Sequence, residues 1–386
     1  MRITRQTGLL LLCAVLAACG KGKEKDIDPP AELVGFSARI DVARAWSGGG
    51  GGGEEVLRLG LRPAVADGVA YVAGYGGAIE AFDLATGRAK WRYSGKLPFG
   101  GGPGIGEGLV AAGSVAGDVV ALEAATGSQR WRVTVGGEVL SAPAIGGGLV
   151  VVRTVDGRVR GLRAADGSEA WNYEQPVPRL TLRGSGGPVI HGDLVLTGFD
   201  NGRVAALALA SGDLLWTATV APAKGRTEIE RLVDIDSTVA VVGEDVFVVG
   251  FQGRVAMLAL ESGQIWWARE LSSHRGLAAD EDKLYVTLAD STVVALRRRD
   301  GTEVWRQAQF LNRALSAPAV NGELLAVGDF EGHVHWLDTA TGAVVGRAKA
   351  GGSRISNRPV AAGDLWLVQS DSGAAHALRT RPRASG

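Results

Sequence analysis

A unit of about 40 residues recurs along this chain and constrains its fold more than any other feature. Each unit contains an apolar run, a turn with glycine, an alternating strand, a tight Thr-Gly or Ser-Gly turn and, in most copies, a last strand with a tryptophan. Seven copies begin at Asp67, Glu107, Gly147, Gly192, Glu244, Glu281 and Gly322. An eighth begins at Gly363 and stops before its tryptophan strand.

Two residue types of the unit have structural roles that the spacing predicts. The glycine of the tight turn stands where a hairpin needs positive φ, and it recurs as Gly87, Gly127, Gly167, Gly212, Gly263, Gly301 and Gly342. The tryptophan usually follows four residues later, as Trp91, Trp131, Trp171, Trp216, Trp267 and Trp305. Because burying so large a side chain is strongly stabilising, we expect these tryptophans to hold adjacent units together rather than to bind a ligand.

Four short strands per unit predict an all-β, eight-bladed β-propeller with four-stranded blades. Segments such as Ser141–Ile145 supply the crowded innermost strand, and no stretch has the helical period of a solenoid. The eighth unit lacks its outer strand, and residues 43–47, around Trp46, resemble that missing strand. We therefore predict that the N- and C-terminal strands pair and close the ring, which removes an open sheet edge. The run Gly48–Gly53 is interpreted as a flexible loop, because no Gly-Lys-Ser/Thr follows it.

The start of the chain has the pattern of an export signal. Basic residues precede a short apolar run that ends in Leu16-Ala17-Ala18-Cys19-Gly20, and this run is too short to span a bilayer. Its end resembles the bacterial lipobox, which implies that Cys19 is lipidated. Gly20 in place of Asp resembles Gram-negative lipoproteins sorted to the outer membrane. The predicted domains are a signal peptide (1–18), a lipidated cysteine and flexible tether (19–35), the propeller (36–380) and a C-terminal tail (381–386).

Composition and spacing give no sign of catalytic or metal chemistry. The chain has 41 basic and 41 acidic residues, so the basic excess of a nucleic-acid surface is absent. Beyond Cys19 there is no cysteine, which excludes disulfides and thiol chemistry in the mature domain. His333 and His335 share one face of a strand and could form half of a metal site, but the sequence suggests no third ligand. We predict no catalytic residue, no cofactor and no metal.

The Ala-Leu/Phe-Asp…Thr-Gly…Trp pattern resembles the repeat of pyrroloquinoline-quinone (PQQ) enzymes and that of the BamB family, the propeller lipoproteins of the β-barrel assembly machinery. Two stretches outside the generic unit, residues 177–184 (VPRLTLRG) and 228–238 (EIERLVDIDST), resemble BamB segments. Each lies between the tryptophan strand of one unit and the first strand of the next. Since such connections emerge on one face of a propeller, we expect both on the same rim, around blade four.

The BamB resemblance implies a non-enzymatic lipoprotein subunit of the outer-membrane β-barrel assembly (BAM) complex, facing the periplasm. It implies BamA as the main partner, through its periplasmic domains, together with other BAM subunits. Such a propeller could fix the geometry of BamA or offer strand edges to unfolded outer-membrane proteins, and the sequence does not choose between these.

The residues expected to meet BamA are Leu180, Leu182 and Arg183, with Asp234 and Asp236 contributing or bracing. In an extended segment Leu180 and Leu182 point to one side. The structural alternative is that the leucines pack inward and that Arg183 pairs with one of the two aspartates inside this protein.

Two other functions stay open at this level. One is a PQQ-dependent quinoprotein dehydrogenase, a family that uses PQQ, calcium and carboxylate ligands near the propeller axis. Those enzymes are usually much longer, and the adjacent cysteines of the alcohol-oxidising members are absent here. The other is a periplasmic scaffold that binds a different partner.

Overall fold

Antiparallel sheets account for nearly all of the regular structure. The computed structural model describes residues 28–49, 51–53, 59–178, 180–181, 186–222, 226–227, 233–235 and 237–383. The chain divides into two units, Met1–Pro30 and Ala31–Gly386, and all the strands belong to the second. Nowhere in the described ranges is there a helix long and apolar enough to cross a membrane.

The strands are short and follow one another at nearly regular intervals. In chain order they are β1 (Ile40–Gly49), β2 (Gly60–Leu61), β3 (Ala64–Ala66), β4 (Val69–Ala73), β5 (Ala78–Asp83), β6 (Ala89–Ser94), β7 (Phe99–Gly106), β8 (Leu109–Ser114), β9 (Asp118–Glu123), β10 (Gln129–Thr134), β11 (Ala144–Gly146), β12 (Leu149–Arg153), β13 (Arg158–Arg163), β14 (Glu169–Glu174), β15 (Val189–His191), β16 (Leu194–Gly198), β17 (Arg203–Ala208), β18 (Leu214–Thr219), β19 (Ala240–Val242), β20 (Asp245–Val249), β21 (Arg254–Ala259), β22 (Ile265–Glu270), β23 (Gly276–Ala279), β24 (Lys283–Thr287), β25 (Val293–Arg297), β26 (Glu303–Gln307), β27 (Ala319–Asn321), β28 (Leu324–Gly328), β29 (His333–Asp338), β30 (Val344–Lys349), β31 (Val360–Ala362), β32 (Leu365–Gln369) and β33 (Ala374–Pro382).

These strands form eight blades, each with its first strand innermost, and the predicted eight-bladed propeller is confirmed. Blades 1 to 7 are β3–β6, β7–β10, β11–β14, β15–β18, β19–β22, β23–β26 and β27–β30, and blade 8 is β31, β32, β33 and β1. Blade 2 has an additional short strand, because β2 pairs in parallel with β7 on its inner edge. Each sheet buries both faces, so the described core consists of eight apolar clusters, each between two adjacent blades.

The ring closes as the sequence predicts. Strand β1 pairs antiparallel with β33, from Ile40 opposite Pro382 to Gly49 opposite Ala374. This pairing reaches further than expected at both ends, because Gly48 and Gly49 belong to the strand and β33 passes residue 380. Gly48 is therefore part of a strand and not of the predicted loop, since it pairs with Ala375. Its backbone also lies on the Phe82 ring, where an added Cβ would come within 2.9 Å.

The outer-strand tryptophans join neighbouring blades, which confirms their predicted role. Each indole Nε1 donates a hydrogen bond of 2.8–3.0 Å to a carbonyl of the next blade. The seven that do so are Trp46, Trp91, Trp131, Trp171, Trp216, Trp267 and Trp305. The turn glycine of that next blade lies under the indole with φ of 68–76°, and a Cβ there would come within 2.4–2.7 Å of the ring.

The junction between blades 7 and 8 is built differently. Trp336 lies on β29 and faces Gly346 on β30, so the tryptophan and the small residue that faces it in most other blades have exchanged strands. The space over Gly346 is taken by Ile40, whose Cγ1 would lie 2.6 Å from an added Cβ. Arg39 adds a backbone hydrogen bond to Val345 (2.9 Å) and thus ties the N-terminal segment to blade 7.

Residues just before β1 also pack on the propeller. The Ala31 amide donates to the Leu311 carbonyl (2.9 Å), and the Arg347 guanidinium donates to the Val34 carbonyl (3.1 Å). The same guanidinium stacks over the Phe36 ring at 4.9 Å. The propeller unit therefore begins at Ala31, within the stretch expected to be tether, while residues 19–27 lie outside the described part.

Candidate functional site

The connections into and out of blade 4 are among the longest of those that join one blade to the next. Residues 175–188 join β14 to β15 and residues 220–239 join β18 to β19, whereas residues 95–98 and 271–275 suffice elsewhere. We call residues 175–188 and 220–239 the loop pair. Long loops on a rigid sheet scaffold are a usual location for binding surfaces.

The two loops touch each other, as the sequence predicts for neighbours on one rim. The Gly187 amide donates to the Thr238 Oγ1 at 3.2 Å. Gly186 lies so close to Ser237 that an added Cβ would be 2.5 Å from its carbonyl oxygen. A side chain at Gly186 would push the loops apart, so this glycine permits their contact.

The scaffold below the loop pair is stiffened by a buried ion pair. Arg153 of β12 is fully buried and forms an ion pair with Asp200, which follows β16 in blade 4. Its guanidinium also lies 5.5 Å from the centre of the Phe199 ring. Removing one partner of such a pair leaves an uncompensated buried charge, which makes the joint between blades 3 and 4 sensitive to substitution.

The structure separates the predicted site residues by exposure. Leu180 is 42% exposed, in keeping with a contact surface. Asp234 is fully buried, which fits bracing better than direct contact. Its carbonyl accepts from the Phe251 amide of blade 5 (2.8 Å), and the next amide, of Ile235, donates to Phe199 of blade 4 (3.3 Å). The other predicted residues, Leu182, Arg183 and Asp236, lie outside the described residues, as does Cys19.

A second exposed apolar surface was not predicted. Leu214 and Leu215 begin β18, and Ile265 and Trp266 begin β22 at the equivalent position of the next blade. All four are at least 37% exposed, with Trp266 at 56%. The signal in the sequence is two adjacent apolar residues on an outermost strand, where one of the two should face water.

His333 and His335 belong to an ion network at blade 7 rather than to an open metal site. Asp329, Glu331 and His333 place ligand-type atoms within 4.8 Å of one another. However, Arg313 already forms ion pairs with both carboxylates, 2.7 Å from that of Asp329. A fixed guanidinium among the carboxylates opposes a bound cation.

The tautomer of His335 follows from its two neighbours. Arg347 Nε donates to His335 Nδ1 (3.1 Å), so Nε2 carries the proton and donates to Asp329 (3.0 Å). Burial lowers the pKa of His335, although the Asp329 carboxylate opposes this shift. Burial alone would raise the pKa of Asp329, but the hydrogen bonds that its carboxylate accepts from His335, Arg313 and the His333 amide hold this pKa well below its usual range.

The described geometry defines an eight-bladed propeller of the PQQ-like-repeat class, built from minimal blades that carry one enlarged loop pair. The family model for the outer membrane protein assembly factor BamB matches residues 75–307 and 289–381 of this chain. The chain therefore belongs to the BamB family.

Individual relatives agree with this assignment. The BamB of Pseudomonas aeruginosa is 44% identical over 369 residues, which cover 96% of this chain and 97% of that protein. The BamB of Alkalilimnicola ehrlichii is 46% identical over 373 residues, 96% of each chain. The crystal structure of BamB from Moraxella catarrhalis superposes with a TM-score of 0.80 at 28% identity, over 88% of this chain and all of that one.

The quinoprotein resemblance is one of fold alone. A quinohemoprotein alcohol dehydrogenase from Comamonas testosteroni superposes with a TM-score of 0.70 over 90% of this chain, at 14% identity. The comparisons thus favour an outer-membrane protein assembly factor over a quinoprotein dehydrogenase.

Proposed function

We propose that this chain is a lipid-anchored, non-catalytic subunit of the BAM complex, and that its loop pair binds the periplasmic domains of BamA. The observation that carries the proposal is the contact between two enlarged loops on one rim, together with the exposure of Leu180 in the first of them. Membership of a family named for outer-membrane protein assembly supports the biological setting.

The energetics of the proposed contact rest on the two leucines. Leu180 and Leu182 would present their side chains to one side of an extended segment, next to Arg183. Burying each leucine contributes roughly 1.5–3 kcal/mol, and arginine is a frequent anchor at protein interfaces. Losing both leucines should therefore weaken binding on the order of a hundredfold or more.

Asp234 has a different part in this proposal. Its segment bonds to blade 4 through Ile235 and to blade 5 through Phe251. It therefore braces the base of the loop pair, and we propose that Asp236 makes the contact with BamA. In this arrangement Leu180, Leu182 and Arg183 would form the contact surface, and the Asp234 segment would attach the loop pair to both blade 4 and blade 5.

The experiment is a pull-down of BamA from detergent-solubilised outer membranes. A Leu180→Ala, Leu182→Ala, Arg183→Ala variant should keep the parent melting temperature and lose BamA. The matched control is Leu214→Ala, Leu215→Ala, which removes two exposed leucines from the same blade and should retain BamA. Unfolding of the triple variant, or undiminished retention of BamA, would place the interface elsewhere.

The outermost strands of blades 4 and 5 favour a second role for the protein, namely the binding of segments of unfolded outer-membrane proteins. Strands β18 and β22 are outermost in their sheets and expose Leu215 and Trp266 beside an edge that pairs with no further strand of the described part of the chain. An extended client segment could add to such an edge by backbone hydrogen bonds. In the same pull-down, the Leu214→Ala, Leu215→Ala control should then recover less client while BamA is unchanged.

We also propose that Cys19 carries the lipid anchor and that residues 20–30 tether the propeller to the inner face of the outer membrane. A Cys19→Ala variant should leave the membrane fraction or stay unprocessed. Mass spectrometry of the mature protein should find acyl chains on an N-terminal Cys19. A mature N-terminus at another residue, without acyl chains, would contradict this anchoring.

A further inference from the structure

The inner strands of the blades surround a cavity of about 810 Å³ on the propeller axis. Its wall consists mainly of Ala, Gly, Pro, Val and Ile, with a few hydroxyl side chains. Three arginines also line it, namely Arg62, Arg275 and Arg358, and among the described lining residues there is neither aspartate nor glutamate. Arg275 already makes an interaction of its own, which leaves the other two to be explained.

Arg62 and Arg358 occupy equivalent positions of blades 1 and 8, which are neighbours in the ring. Aligning the blades by the pairing of their first two strands assigns one residue of each blade to this position. In the other six blades that residue is small: Gly102, Ala142, Gly187, Thr238, Gly276 and Ala317. The repeat therefore favours a small side chain at this position on the axis. The two exceptions, Arg62 and Arg358, are both cationic and lie in adjacent blades.

Few polar groups compensate the positive charges of these two guanidinium groups. Arg358 donates to the Leu277 carbonyl across the cavity, and no hydrogen bond or ion pair of the Arg62 side chain is found among the described residues. Burial lowers the pKa of Arg62, and burial followed by the charge of Arg62 lowers the pKa of Arg358. Holding two like charges in one cavity costs stability unless an anion joins them.

We infer that Arg62 and Arg358 form a binding site for a small multivalent oxyanion, either a phosphate or a di- or tricarboxylate, at the propeller axis. Guanidinium groups bind the oxygens of phosphates and carboxylates in bidentate fashion. A cavity of about 810 Å³ lies within the usual range for a small-molecule site. The inference is independent of the BamA contact, since neither Arg62 nor Arg358 belongs to the loop pair.

The test is calorimetric titration of the full-length protein in detergent, with inorganic phosphate in one arm and citrate in the other. At least one anion should bind with one equivalent per chain, and raising the salt concentration should weaken it because the attraction is electrostatic. Tighter binding of phosphate or of citrate identifies the class of ligand. Failure of both to bind the parent protein would overturn the inference.

Substitutions test whether the anion binds at the two arginines. Arg62→Gln and Arg358→Gln should each weaken it at least tenfold, whereas Arg299→Gln, which removes an equal charge from an 84% exposed side chain, should not. Loss of the Leu277 hydrogen bond could unfold the Arg358 variant, and Arg62→Gln then decides alone. Without anion, the Arg62→Gln protein should melt no lower than the parent, because a repulsion is relieved. A lower melting temperature together with undiminished anion binding would make Arg62 a structural residue and refute the site.

Discussion

At the scale of a single residue, Gly127 shows why the tight turn of blades 1 to 7 excludes a side chain. Its φ is 74°, and a Cβ would lie 2.5 Å from the Trp91 ring of the preceding blade. Gly108, in the same blade, also has a φ of 74° but has nothing within 4 Å of its Cβ position. The two glycines therefore share the backbone requirement and differ only in the steric one.

This pair makes a controlled prediction. Gly108→Ala should lower the free energy of unfolding by about 1–2 kcal/mol, the cost of a left-handed backbone for an L-residue. Gly127→Ala should add about 1–3 kcal/mol, because the methyl group displaces the indole and weakens the junction. Urea denaturation of both variants measures the difference. Equal losses would mean that the tryptophan moves aside without cost.

His335 makes the stability of the folded protein depend on pH, because its tautomer is fixed by its neighbours. Protonating Nδ1 would break the hydrogen bond from Arg347, so the folded state favours the neutral ring. A His pKa lowered below the unfolded value of 6.5 means that the unfolded chain takes up the proton first. Its contribution to stability is thus fully present above about pH 6.5 and falls as the pH drops toward the folded pKa.

We expect unfolding free energy to decrease on acidification from pH 7 to pH 5, and His335→Gln to flatten that decrease. His376, whose pKa is lowered by burial and then by Arg44, contributes with the same sign and should leave a residual slope. The matched control is His333→Gln, on the same strand but partly exposed. Asp329, with its lowered pKa, adds a further loss only below about pH 4. An unchanged slope in the His335 variant would contradict this account.

At the scale of elements, the repeat predicts most of the fold because one spacing rule positions strand, turn and junction together. The rule fails at blade 7, where the sequence has Gly346 in place of the outer tryptophan. The compensating Trp336 is visible only once β29 and β30 are paired, since the two residues face each other across strands. The junction also depends on Ile40, which packs over Gly346 from the other end of the chain, and a single repeat unit does not encode that contact.

The candidate site was predictable in part for the same reason. The lengths of residues 175–188 and 220–239 locate the loop pair, but loops lack the alternation that distinguishes buried from exposed positions. Asp234 is buried in a segment whose backbone bonds to two blades, and no local pattern in the sequence reveals this. Arg62 and Arg358 do have a local signal, because each precedes a proline where Ala142 and Ala317 precede theirs.

At the scale of the whole molecule, stability depends on the ring being continuous. Seven junctions are joined by a tryptophan, and the eighth is covered by residues 31–42, which pass from blade 7 into strand β1 of blade 8. The N-terminal segment thus completes a sheet and bridges a junction at the same time. In a repeat protein each unit is stable mainly through its neighbours, so opening one junction should release the blades on either side.

Deleting residues 36–49 should therefore lower the melting temperature, split or broaden the single calorimetric transition and promote aggregation through the exposed edge of β33. The control is Trp131→Ala, which should cost about 3–5 kcal/mol at one junction yet keep a single transition, because the ring stays closed by β1. A synthetic peptide of residues 36–49, added to the truncated protein, should restore much of the lost stability by pairing with β33. If the truncated protein unfolds in one transition at the parent temperature, ring closure contributes little, and the blades are held by their pairwise junctions alone.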